Sequence, residues 1–75
     1  MRVTVKISGS LMYEVGFSEK EMEIPVAMTL RELLVAIRIP HDAARIVTRN
    51  GAHIAPDDAL ADGDRLFISP IYSGG

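Results

Sequence analysis

The final residues, Ser69-Pro70-Ile71-Tyr72-Ser73-Gly74-Gly75, hold the chemistry that this chain most plainly offers. Glycine loses the most backbone freedom on ordering, so two glycines in a row add nothing to a fold. Two readings stand at this point. Gly74 and Gly75 are a frayed end, or the terminal carboxylate is itself the working group. Other chemistry-bearing residues are sparse. His41 and His53 lie in separate segments without ligand spacing, so hydrogen-bonded or solvated histidines are expected rather than metal ligands. Asp57, Asp58, Asp62 and Asp64 form an acidic run. Their spacing does not fit a calcium loop, and turn chemistry accounts for them. No Ser–His–Asp pattern or phosphate-binding glycine loop is present, so catalysis by this chain alone is not expected.

Composition narrows the class. Seventy-five residues make one domain, and 48% hydrophobic content suffices for a packed core. With no cysteine, neither disulfides nor thiolate metal sites brace the fold. Packing and well-chosen turns must carry it. The absence of cysteine is compatible with a reducing, cytoplasmic setting. A net charge of −2 does not favour nucleic acid or an anionic membrane surface as partner. A basic protein surface is the more natural partner. No apolar run approaches membrane-spanning length.

The elements that must position the end follow from periodicity. In Arg2–Ser8, Val3, Val5 and Ile7 share one face, a half-buried strand. The stretch from Gly9 to Glu19 reads as a connection. Met22 and Ile24 alternate with Glu21 and Glu23 in a second strand, antiparallel to the first and closed by Pro25. From Thr29 the chain reads as helix. Thr29 and Glu32 form a capping box, with Met28 and Leu33 placed as a hydrophobic staple. Leu30, Leu33, Leu34 and Ile37 make one apolar stripe, and Pro40 is expected to stop the helix. Two short strands flank Asn50-Gly51, a strong hairpin signal. A short helical turn is expected at Pro56–Leu60, then positive φ at Gly63, then a last strand with Leu66 and Ile68 on one face and Pro70 barring its continuation. The order is β-β-α-β-β-β, an α+β fold in which one main helix must cover a small mixed sheet.

In this order the motifs resemble the ThiS/MoaD family of β-grasp, ubiquitin-like sulfur carriers. The marks are the opening alternating strand, Gly9-Ser10-Leu11 after it, Thr29–Leu34 on the helix, Asn50-Gly51, Leu60–Ile68 and the closing diglycine. The resemblance implies a β-grasp domain over 1–70 with the first and last strands adjacent and parallel, and a flexible tail over 71–75. It implies that Gly75 is adenylated by a ubiquitin-activating-type enzyme that uses ATP, then converted to a thiocarboxylate with sulfur from a donor protein. It implies no bound cofactor. Gly74 gives clearance in a narrow channel, while Pro70, Ile71, Tyr72 and Ser73 guide the tail. Pro70 to Gly75 would reach roughly 20 Å when extended. Proline shortly before the glycines resembles the molybdopterin-synthase small-subunit form, which implies the large subunit of that enzyme as partner. The alternatives are a thiazole carrier serving thiazole synthase, a ubiquitin-like modifier, and a binding domain whose end has no chemistry. Arg49 stands where the family commonly has an apolar residue.

Strand parity assigns the docking candidates. Phe67 alternates with Leu66 and Ile68 and should point away from the helix. Ile46 shares that outer face if Val47 points inward, and Arg45, Arg49 and Arg65 would rim it. An aromatic–aliphatic patch beside a tail is a docking surface in prospect.

Overall fold

The computed structural model describes residues 1–39 and 46–70. Strand β1 (Arg2–Ile7) buries Val3, Val5 and Ile7 and pairs antiparallel with β2 (Glu19–Glu23), Arg2 facing Glu23 and Lys6 facing Glu19. The connection between them is not irregular throughout. It contains a short helix, α1 (Leu11–Val15), that ends at Gly16 in left-handed geometry. Leu11 is buried and Val15 packs against the core one turn later. With Met12 also packed there, α1 turns a short apolar side toward the core.

Helix α2 (Leu30–Ala36) begins as its sequence predicts. The Thr29 hydroxyl accepts the Glu32 amide at 3.2 Å, and a Glu32 carboxylate oxygen accepts the Thr29 amide at 2.9 Å. Leu30 and Leu33 are buried against the sheet, with Leu34 and Ile37 half-buried beside them. Two further donors of the first turn find carbonyls in the loop that precedes the last strand: Leu30 N–H donates to Asp58 and Arg31 N–H to Pro56. All this satisfies amides that a helix leaves open at its start.

The helix stops earlier than Pro40 would require. Arg38 adopts φ 65°, its amide donates to the Val35 carbonyl, and the Ile39 amide donates to the Leu34 carbonyl. These two bonds define a Schellman motif with arginine in the position that usually carries glycine. Buried Ile39 supplies its hydrophobic contact and the pull that holds Arg38 in place. Arg38→Gly is therefore expected to stabilise the fold by about 0.5 kcal/mol, since glycine escapes the left-handed penalty. Thermal unfolding should show a midpoint raised by a few degrees, and an unchanged or lowered midpoint would refute it.

Strands β3 (Ile46–Arg49) and β4 (Ala52–His53) form a tight hairpin. Asn50 and Gly51 both have positive φ (53° and 89°), the type I′ arrangement that suits strand twist. The Asn50 side-chain oxygen also accepts the Arg65 backbone N–H at 3.0 Å, while the Asn50 backbone N–H donates to the Arg65 carbonyl. The turn is thereby tied to the start of β5 (Arg65–Ser69).

Between β4 and β5 Asp58 and Asp64 act as turn chemistry, while Asp62 reaches β1 and Asp57 pairs with Arg31 of α2 at 2.8 Å. Asp58 accepts the Ala55 amide, Asp64 the Ala61 amide and Asp62 the Arg2 amide. Pro56–Asp58 forms a turn and Ala59 bridges to Thr29, in place of the helical turn expected over Pro56–Leu60, because Asp58 closes the backbone on Ala55 at once. Gly63 has the positive φ expected of it. The sheet order is β2-β1-β5-β3-β4, with β1 and β5 parallel and β5 antiparallel to β3. This is a ubiquitin-like β-grasp, with α2 covering one face.

Candidate functional site

Strand β5 divides its residues cleanly between two faces. Leu66 and Ile68 are buried under the helix, whereas Arg65 and Phe67 face outward. Val47 points inward on β3, so Ile46 and Thr48 share the outer face with Phe67. Phe67 lies opposite Thr48 on one side and Lys6 on the other. Ile46 is diagonal to it, opposite Ser69. Phe67 is 39% exposed and Ile46 40%, both large for apolar side chains on a sheet.

The outer face carries a shallow depression of about 510 Å³, bounded by Lys6, Glu19, Thr48, Arg65 and Phe67 and closed at one end by the Asn50-Gly51 turn. A smaller one of about 310 Å³ adjoins it around Arg2, Glu21 and Asp62, with Arg65 between the two. Arg2 approaches Glu23 at 3.4 Å and Glu21 at 3.9 Å. Glu21 and Glu23 of β2 are thus paired with Arg2 of β1, while Lys6 and Arg65 stand nearer the aromatic. Lys6 and Thr48 escaped sequence reasoning as neighbours of Phe67. Their outward parity on β1 and β3 was the available signal.

Arg49 does not rim this face. It pairs with Leu66, on the inner side, and its guanidinium donates to the Ala59 carbonyl at 2.9 Å and to Asp64 at 3.3 Å. Asp64 is 5% exposed, the buried charge among the described residues. A pair of opposite charges with a backbone partner each replaces the apolar residue that the family resemblance led one to expect. Arg45 lies outside the described residues. So do Ile71, Tyr72, Ser73, Gly74 and Gly75, the expected tail residues, and His41. Pro70 is described, half-buried at the end of β5. His53 is exposed on β4. Among the described residues no group of three or more His, Cys, Asp or Glu could hold a metal ion. Among the described residues no helix is long and apolar enough to cross a membrane.

The same architecture recurs in solved structures. A putative molybdopterin converting factor subunit 1 from Pyrococcus furiosus is 25% identical, with a TM-score of 0.78 over 93% of this chain and 97% of that one. SAMP1 from Haloferax volcanii is also 25% identical, with a TM-score of 0.79 over the whole of both chains. A complex of subunits 1 and 2 of molybdopterin-converting factor from Helicobacter pylori includes a chain 20% identical, with a TM-score of 0.66 over the whole of both chains. The family model described as the ThiS family matches residues 5–75, from the middle of β1 through both terminal glycines. Together with the sheet order, the outward aromatic of β5 and the diglycine after Pro70, that match assigns the chain: it belongs to the ThiS family.

Proposed function

We propose that this protein is a sulfur carrier whose Gly75 carboxylate is activated and thiocarboxylated by partner proteins. The observation that carries the reading is the ThiS-family match running through Gly74-Gly75. A carboxylate resists nucleophiles because its carbon has no good leaving group. In the proposed first step, a Gly75 carboxylate oxygen attacks the α-phosphorus of ATP in an activating enzyme, and pyrophosphate leaves. In the second, a sulfide-class nucleophile from a donor attacks the acyl carbon. A C–S bond forms, the C–O bond to AMP breaks, and the thiocarboxylate remains. Gly74 and Gly75 add no side chain to obstruct an enclosed channel. Phe67, with Ile46 and Arg65 around it, provides the surface that docks on the partner. Catalysis belongs to the partners.

The pathway we favour is molybdopterin assembly, with the synthase large subunit receiving the sulfur. Pro70 before the diglycine supports this, as does likeness to two chains named as molybdopterin-converting factor subunits. Incubation with ATP, an activating enzyme and a sulfide source should raise the intact mass by the difference between sulfur and oxygen, localised to Gly75. An unchanged mass with an enzyme that activates another family member would refute the reading. Phe67→Asp should raise the KM for the activating enzyme about tenfold, because a central apolar anchor becomes a buried charge. Its kcat should hold, and an unaltered KM would remove Phe67 from the docking surface.

A second reading has support of its own. The similarity to SAMP1 from Haloferax volcanii, a small archaeal modifier protein, favours a modifier, in which the activated glycine is joined to a lysine amine. Recovery from cells of a Gly75 linkage to lysine, with no thiocarboxylate, would select it.

A further inference from the structure

We propose that Gly9 is a positioning residue for the C-terminal tail: its bare Cα is the seat against which Pro70 rests as the chain leaves β5. This rests on the carrier reading for its functional consequence. Gly9 follows β1 and has φ +67°. A Cβ built there would meet Pro70 Cγ at 3.2 Å and Cδ at 3.4 Å. The other left-handed glycines differ: at Gly16, Gly51 and Gly63 an added Cβ would meet nothing within 4 Å.

Gly9 has no room to retreat from such a contact. On one side Ser8 N–H donates to the Ile68 carbonyl at 3.0 Å, tying β1 to β5 just before both residues. On the other side the Met12 amide donates to the Gly9 carbonyl, and α1 is anchored by buried Leu11. Pro70 has no amide hydrogen with which to continue the ladder, so its ring is the part that yields. Its fixed φ then passes any displacement to the heading of the chain beyond it. The close approach therefore needs glycine twice over, for the backbone angle and for the missing methyl.

The control is Gly16→Ala, which imposes left-handed strain at least as large, φ +92° against +67°, in open space. In amide NMR spectra, Gly9→Ala should shift Ser69 and the residues after Pro70, and Gly16→Ala should leave them in place. The shifts should vanish when Gly9→Ala is compared with wild type in a Pro70→Ala background. In ATP-dependent pyrophosphate release with an activating enzyme, Gly9→Ala should lower kcat about 3- to 10-fold at constant KM. This is below the ~100-fold that a full ångström of misplacement can cost. Gly16→Ala should leave both constants unaltered, and Pro70→Ala should erase the Gly9→Ala effect. Equal effects from the two glycine variants, an effect on KM instead of kcat, or persistence in the Pro70→Ala background would each overturn the proposal. If wild type releases no pyrophosphate, the carrier reading falls, and the amide shifts alone decide whether Gly9 seats Pro70.

Discussion

Removal of Gly75 is expected to abolish the mass gain while leaving the unfolding midpoint where it was. The loss should be complete on the timescale of wild-type turnover. The variant does end in a glycine carboxylate at Gly74, but one residue closer to Pro70. The chain covers at most about 3.3–3.6 Å per residue, so the shortened end stops roughly that far from the reacting phosphorus. A misplacement of a single ångström can already cost ~100-fold in rate. Stability should hold because the core is built from Val3, Val5, Leu33, Leu66, Ile68 and their neighbours, all upstream of residue 70. Intact-mass measurement and thermal unfolding on the same samples separate the two roles. A midpoint lowered by several degrees would show that the end supports the fold, and full thiocarboxylation at Gly74 would show that reach does not matter.

The largest effect on stability from a polar residue is expected at Asp64. Its carboxylate accepts the Ala61 amide at 2.8 Å and the Arg49 guanidinium at 3.3 Å while almost wholly buried. Asp64→Ala leaves both donors without that acceptor, at the point where β5 enters the middle of the sheet. Hydrogen bonds to charged groups are worth about 1.5–3 kcal/mol each way of counting. The full penalty for orphaning a buried charge is discounted because the Arg49 side chain is 31% exposed and keeps the Ala59 carbonyl. A loss of about 2–3 kcal/mol results, against a total of roughly 4–11 kcal/mol for a domain of this length. Asp64→Asn keeps an acceptor for Ala61 and should lose about half as much. Denaturant midpoints check both, and an Asp64→Ala loss under about 0.5 kcal/mol, within ordinary surface scatter, would show the pair to be ornamental.

Asp64 also marks where sequence reasoning stopped. The acidic run was legible as turn chemistry at Asp58 and Asp64, each of which accepts an amide three residues earlier, but not at Asp62 or Asp57, whose partners Arg2 and Arg31 are remote in sequence. The second role of Asp64 was not legible. Counting residues by two along β3 puts Arg49 on the same side as buried Val47, yet a charged residue invites an outward assignment. Only the buried carboxylate across the turn reverses that preference. The strands, the α2 capping box and the Asn50-Gly51 hairpin were readable because each is specified by residues within a few positions of one another. Helix α1 was missed since five residues give no full apolar period. The end of α2 was misplaced because Arg38 takes a conformation its residue type does not advertise. The parallel pairing of β1 and β5 came from the family resemblance, as no periodicity specifies contacts across sixty residues. Outward placement of Phe67 and Ile46 was legible by parity, whereas the depression beside them depends on how four strands come together.

The place of β5 in the sheet has a consequence for synthesis. A nascent chain exposes β1 first, but that strand has only β2 beside it until Arg65–Ser69 emerges from the ribosome. Closure across so long a stretch is slow relative to local pairing, and copies broken off early lack the strand joining the two hairpins. On the carrier reading, β5 would thus have to join the two hairpins before the Gly75 carboxylate is presented from a folded body.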